Sequence, residues 1–195
     1  MIVHDHDPQE WKEAFFQVVR RFENANQLKQ AALDERLGDW TGYLTDAVVQ
    51  TCESLGWQAA AKGHELDILP IARCEYLALD VMAFADGPEW RFPVAVMELE
   101  NSRDDQKIAY ALWKVLCVTA DLRIVFCYRR RSGEGSALVR HLGQQVVKAL
   151  PLEDRVSLRG DAVVVVGGRD ASSTFPFGFF KWWQLDKNTG TFNVI

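Results

Sequence analysis

Two short runs, residues 76–84 (YLALDVMAF) and 92–100 (FPVAVMELE), constrain this chain more than any other feature. Both are rich in β-branched and aromatic residues. Asp86-Gly87-Pro88-Glu89 between them is a turn signal, so they read as a hairpin. Successive residues of a strand face opposite ways. Leu77, Leu79 and Val81 therefore share one face, and Tyr76, Met82 and Phe84 share the other. A sheet that is apolar on both faces needs helices on both sides.

The rest of the chain supplies that cover. Residues 8–33 carry Trp11, Phe15, Val18, Val19 and Phe22 at helical spacing, with Pro8 suited to a first turn. A second helix is expected over 40–55, stopped by Gly56. A third is expected over 103–119, with the stripe Ile108, Ala111, Leu112, Val115 and Leu116 and a capping box from Ser102 to Asp105. Then come a buried strand at 122–128, a helix at about 134–149, a strand at 162–167 and a C-terminal hairpin over 177–195 that turns at Lys187–Gly190. The order predicts an α/β fold with a mixed β-sheet flanked by helices and a core over about 40–168. At 195 residues, one domain spanning 1–195 is expected.

No window approaches the ~18 consecutive apolar residues of a membrane span. MIVHDHDPQEW lacks the basic and apolar regions of a signal peptide. Cys52, Cys74, Cys117 and Cys127 lie far apart in apolar segments and form no CxxC pair, so they read as reduced core residues. A cytoplasmic protein with no membrane partner is expected.

Three acids stand in these apolar strands. If the hairpin turns about residue 89, paired residue numbers sum to 178, which sets Asp80 across from Glu98 with Cβ atoms ~4.5–5.5 Å apart. Glu100, two residues on, shares the face of Glu98. Carboxylates gathered at one end of an apolar sheet repel one another unless a cation neutralises them, and hard oxygens of this kind suit Mg²⁺ or Mn²⁺. The bland alternative is three solvated acids at strand ends.

Asp80, seventeen residues, then Glu98-Leu99-Glu100 resembles the metal site of the PD-(D/E)XK, or restriction-endonuclease-like, nuclease superfamily. In that family an acid on one strand and an acid-x-lysine on the next hold a divalent metal and activate water. Gln106-Lys107-Ile108-Ala109-Tyr110 is similar to the Q-x-x-x-Y motif of its RecB-like branch. The resemblance covers roughly residues 40–130. It implies a three-layer core, Mg²⁺ or Mn²⁺ held by Asp80 and Glu98 with the Leu99 carbonyl, phosphate oriented by Gln106 and Tyr110, and DNA (or RNA) as substrate. Asp46, with Asp39 as runner-up, would be the acid from the second helix. The family's lysine is Glu100 here. Glu100 could act as base or second-metal ligand, Lys107 or Lys114 could take over the lysine's role, or the chain could be a catalytically silent binding or regulatory relative.

Charge distribution bears on the partner. The net charge is −5, yet residues 101–150 carry 9 basic and 4 acidic groups. Arg103, Lys107, Arg129, Arg130 and Arg131 are the candidates for touching nucleic acid, against the alternative of a solvated strand exit. His4-Asp5-His6 reads as a polar terminal tail. Phe179, Phe180, Trp182 and Trp183 read as core or homodimer contact in preference to base stacking.

Overall fold

The computed structural model describes residues 7–195; the His4-Asp5-His6 reading lies outside the described residues. In chain order the elements are α1 (Pro8–Val19), α2 (Phe22–Leu33), α3 (Leu37–Ser54), β1 (Gln58–Ala61), β2 (Val81–Phe84), β3 (Ala95–Glu100), α4 (Asp105–Leu116), β4 (Leu122–Arg129), α5 (Glu134–Gln145), α6 (Leu152–Ser157), β5 (Asp161–Gly168), β6 (Phe180–Asp186) and β7 (Thr191–Val194). The seven strands form one sheet in sequence order. β1-β2-β3 and β5-β6-β7 are antiparallel meanders, and β3-β4-β5 are parallel.

The expectation of apolar packing on both faces holds. Ala95, Met97, Leu99, Ile124 and Phe126 face a core shared with α1, α2 and α3. Val96, Val125, Cys127, Val164 and Val166 face a second core under α4 and α5. Two consecutive crossovers that step across a parallel sheet in one direction place their helices on one side, because such crossovers are right-handed. The result is a three-layer α/β arrangement. The tail aromatics Phe179, Phe180, Trp182 and Trp183 are all buried and split between the two cores, so none is free to stack on a base. The C-terminal hairpin turns at the expected Lys187–Gly190, with Asp186 paired to Thr191.

Several elements differ from expectation. The 8–33 segment is two helices broken at Arg20–Arg21, where Arg21 is extended; at the break the Val18 carbonyl accepts from the Arg21 N–H and from the side chain of Asn24. Phe22 is 84% exposed, so the apolar stripe ends at Val19. α4 opens on Asp104, whose side chain accepts from the Gln106 N–H, and not on the expected Ser102. Of the four cysteines, Cys52 and Cys127 are core, Cys74 is partly exposed and Cys117 lies on the surface.

The far end of α4 is pinned by an internal arginine. Arg123, 2% exposed, donates to the carbonyls of Val115, Val118 and Arg159. A cation there satisfies the unpaired carbonyls of a helix C-terminus and opposes its partial negative charge. It fixes the height at which α4 crosses the sheet. Among the described residues, no helix is long and apolar enough to cross a membrane.

Candidate active site

The hairpin register is the expected one, with Val81 opposite Met97 and Met82 opposite Val96. The first strand is shorter than expected, because the chain turns just before it. Leu77 and Ala78 both have φ of 55°, and the turn is closed by the Leu79 N–H donating to the Tyr76 carbonyl. Left-handed backbone at two consecutive side-chain-bearing residues is costly and persists only where the surroundings enforce it. Asp80 emerges from this turn one step beyond the ladder, where its Oδ2 accepts from the Leu99 N–H at 2.7 Å.

Glu98 points into the layer beneath α4 and is 6% exposed. Lys114, one turn from the end of α4, brings its Nζ to 2.7 Å from Glu98 Oε1, and the same ammonium donates to the Ala78 carbonyl at 2.5 Å. One lysine thus ties the buried acid to the strained turn that presents Asp80. The approach to Glu98 matches charge without the alignment of a hydrogen bond, so lone pairs on Oε1 stay unused. Burial pushes the Glu98 carboxyl up to about 7; the Lys114 ammonium pulls it down, and the Asp80 charge nearby adds to the rise.

Glu100 does not join this pair. Its Oε1 accepts from the Ser102 N–H at 2.8 Å, which folds the side chain over the start of the β3–α4 loop. The described residues hold no group of three or more His, Cys, Asp or Glu side chains placed to share a metal ion. The expected convergence of three carboxylates is therefore corrected: Asp80, Glu98 and Glu100 each have a separate protein partner. Two carboxylates still fit Mg²⁺, which is commonly bound through one or two carboxylates with water and substrate phosphate completing its shell.

Asp46 lies on α3, which packs on the opposite face from Glu98, and pairs with His64 Nε2 at 2.9 Å. Asp39 is bound to Arg36. Neither second-helix acid reaches the Asp80–Glu98 pair. Gln106 is exposed on α4, as are Tyr110 (60%) and Trp113 (53%), whose rings stack at 5.7 Å with 18° between planes. Lys107 is exposed on the Lys114 flank of that helix.

The arginine run divides. Arg129 is buried, with Nη1 donating to the Ser102 and Tyr128 carbonyls and Nη2 to Asp105 Oδ1, so it is a clamp on the α4 entry and not a free phosphate contact. Arg131 is exposed. Arg130 Nε and Nη2 donate to the two carboxylate oxygens of Glu35, both at 2.5 Å. Arg169 Nη1 donates to Glu35 Oε1 at 2.8 Å, and Arg103 Nη2 lies 3.5 Å from Oε2. The hydrogen bond from Arg130, with the charges of Arg130, Arg169 and Arg103, holds the Glu35 carboxyl below the usual range. Glu35 and Arg169 escaped sequence reasoning because 134 residues separate them. Comparison with protein-family models, curated proteins and solved structures finds no match for this chain.

Proposed function

We propose that this chain is a cytoplasmic, metal-dependent nuclease that hydrolyses phosphodiester bonds in DNA, with Asp80, Glu98 and Lys114 as its reacting residues. The observation that carries the reading is the buried Glu98 beside Asp80, held at 2.7 Å by a lysine from the next helix. That lysine stands in place of the acid-x-lysine residue of the PD-(D/E)XK pattern, and Glu100 is spent on the loop. Asp80 and Glu98 would hold Mg²⁺ or Mn²⁺ with the Leu99 carbonyl; when bound, such an ion polarises a phosphoryl oxygen and lowers the pKa of water.

The chain's own residues do the rest. Lys114 lies against Glu98 in the free protein, then offers its ammonium to charge that develops on the phosphoryl group. Arg123 and the Ala78 carbonyl set its reach, the first by fixing α4 and the second by anchoring the ammonium. Gln106 and Tyr110, on the exposed face of the same helix, would orient a neighbouring phosphate. The backbone strain at Leu77–Ala78 supports the reading, since such strain gathers at functional sites.

A second reading, a catalytically silent nucleic-acid-binding or regulatory module, draws on the separate protein partners of Asp80, Glu98 and Glu100. Supercoiled plasmid in Mn²⁺ separates the two. Nicking by the wild type that is lost in Asp80→Asn supports the nuclease; equal nicking by Asp80→Asn, or none by either protein, rejects it.

A further inference from the structure

Three arginines follow the carboxyl ends of the three parallel strands: Arg103 after β3, Arg130 after β4 and Arg169 after β5. Their guanidinium groups converge on Glu35, and the three side chains remain 57%, 51% and 38% exposed. Beside Arg103 and Arg130 lies an open depression of about 460 Å³. The carboxyl edge of parallel strands is where open α/β sheets bind ligands. Asp105, which is paired with Arg129, and Glu134 also line the depression, so the three cations around one carboxylate leave a small excess of positive charge at that edge. The fork that Arg130 lays on both Glu35 oxygens is also the geometry guanidinium offers a phosphate.

Glu35 holds its place in an unfavourable backbone. It follows α2 with φ of 54°, and the Arg36 N–H reaches back to the Ala31 carbonyl, the helix ending at which glycine is usual. A glutamate there is explained by its side chain, which reaches arginines from three separate strand ends.

We propose that Arg103, Arg130 and Arg169 form a binding site for a phosphate oxyanion, and that Glu35 occupies it in the free protein as an internal competitor which phosphate displaces. The proposal does not rest on the nuclease reading, because it concerns binding without metal and shares none of Asp80, Glu98 or Lys114. The phosphate could belong to a polynucleotide backbone or be free, and the test separates these sources.

Binding of a short fluorescein-labelled single-stranded oligonucleotide is measured in EDTA from ~50 to 200 mM salt, with inorganic pyrophosphate as competitor. Glu35→Gln removes the competing charge, and Glu35→Gly also suits the left-handed backbone. Both should tighten binding about fivefold to tenfold and steepen the log–log salt slope by about 0.7 for each further phosphate neutralised. Arg169→Ala should abolish the gain in the Glu35→Gln background. Competition by pyrophosphate assigns the site to free phosphate, and its failure assigns it to the polynucleotide backbone. Unchanged affinity in both Glu35 variants overturns the proposal. So does a tightening that survives Arg169→Ala, or an equal tightening from Glu23→Gln on the exposed side of α2, which would make net charge the cause. Loss of the near-ultraviolet circular dichroism signal in both variants also overturns it, by making the cluster a structural clamp. Cleavage plays no part in these outcomes, so the nuclease reading can fail while this one stands.

Discussion

Glu98 and Glu35 are both glutamates held by basic side chains toward the carboxyl edge of the parallel strands, and burial gives them opposite chemistry. Glu98 lies beneath α4 with one ammonium for company, and lost hydration outweighs the ion pair, so its carboxyl rises to about 7. Glu35 keeps contact with water and faces three guanidinium groups, so its carboxyl falls. An ion pair in water asks little of its acid, whereas a buried one leaves the acid poised near neutrality and responsive to a new cation. The buried pair is therefore the candidate for chemistry and the exposed cluster the candidate for binding.

The largest effect that could break this contrast is on stability against pH. The folded protein keeps the Glu98 proton up to about pH 7, whereas the unfolded chain releases it near ~4.3. Between those values the folded state binds more protons, so the unfolding free energy should fall as pH rises through that window. The loss assigned to Glu98 is on the order of 3 kcal/mol. Urea titrations at either end of the window should show it in the wild type and not in Glu98→Gln. A flat wild-type profile would mean that Glu98 is hydrated.

Next in size is the division within the arginine run. Arg129→Ala leaves the Ser102 carbonyl and Asp105 without their donors and should cost about 2–3 kcal/mol in denaturant unfolding. Arg130→Ala should cost much less, because its side chain is half exposed. Equal costs would show that burial does not separate the two.

Smaller again is the response to metal. Mg²⁺ or Mn²⁺ at about ten times its dissociation constant should stabilise the native state by about 1.4 kcal/mol, read as a rise in melting temperature. The rise should strengthen as pH passes 7 and Glu98 gives up its proton, and should vanish in Asp80→Asn with Glu98→Gln. A double mutant that responds as the wild type does would place the metal elsewhere.

Register and two-sided packing were legible in the sequence because both follow from strand alternation. The turn about residue 89 fixes which residues face each other, and Leu79 and Met82 could not face water on either side. Three features were not legible. β1, the short run Gln58–Ala61, carries too little side chain to signal a strand. The break at Arg20–Arg21 has no Gly or Pro to mark it. The left-handed turn at Leu77–Ala78 falls on residues that normally avoid it, so Asp80 read as strand interior. Within the site, register brings Asp80 to the end of the ladder beside Glu98, although the paired residues stop at Val81 and Met97. The choice between Glu100 and Lys114 was not legible, since it depends on where α4 crosses the sheet, which Arg123 decides from outside the motif.

The central claim is that Lys114 completes the site with Asp80 and Glu98 and that Glu100 stands outside it. Initial rates of supercoiled-plasmid nicking in Mn²⁺ by the wild type, Lys114→Met and Glu100→Ala test it most directly. The account predicts that Lys114→Met loses about a hundredfold or more, the worth of one charged donor at a reacting phosphate, while Glu100→Ala stays within about threefold of the wild type. Full activity in Lys114→Met with loss in Glu100→Ala would contradict it.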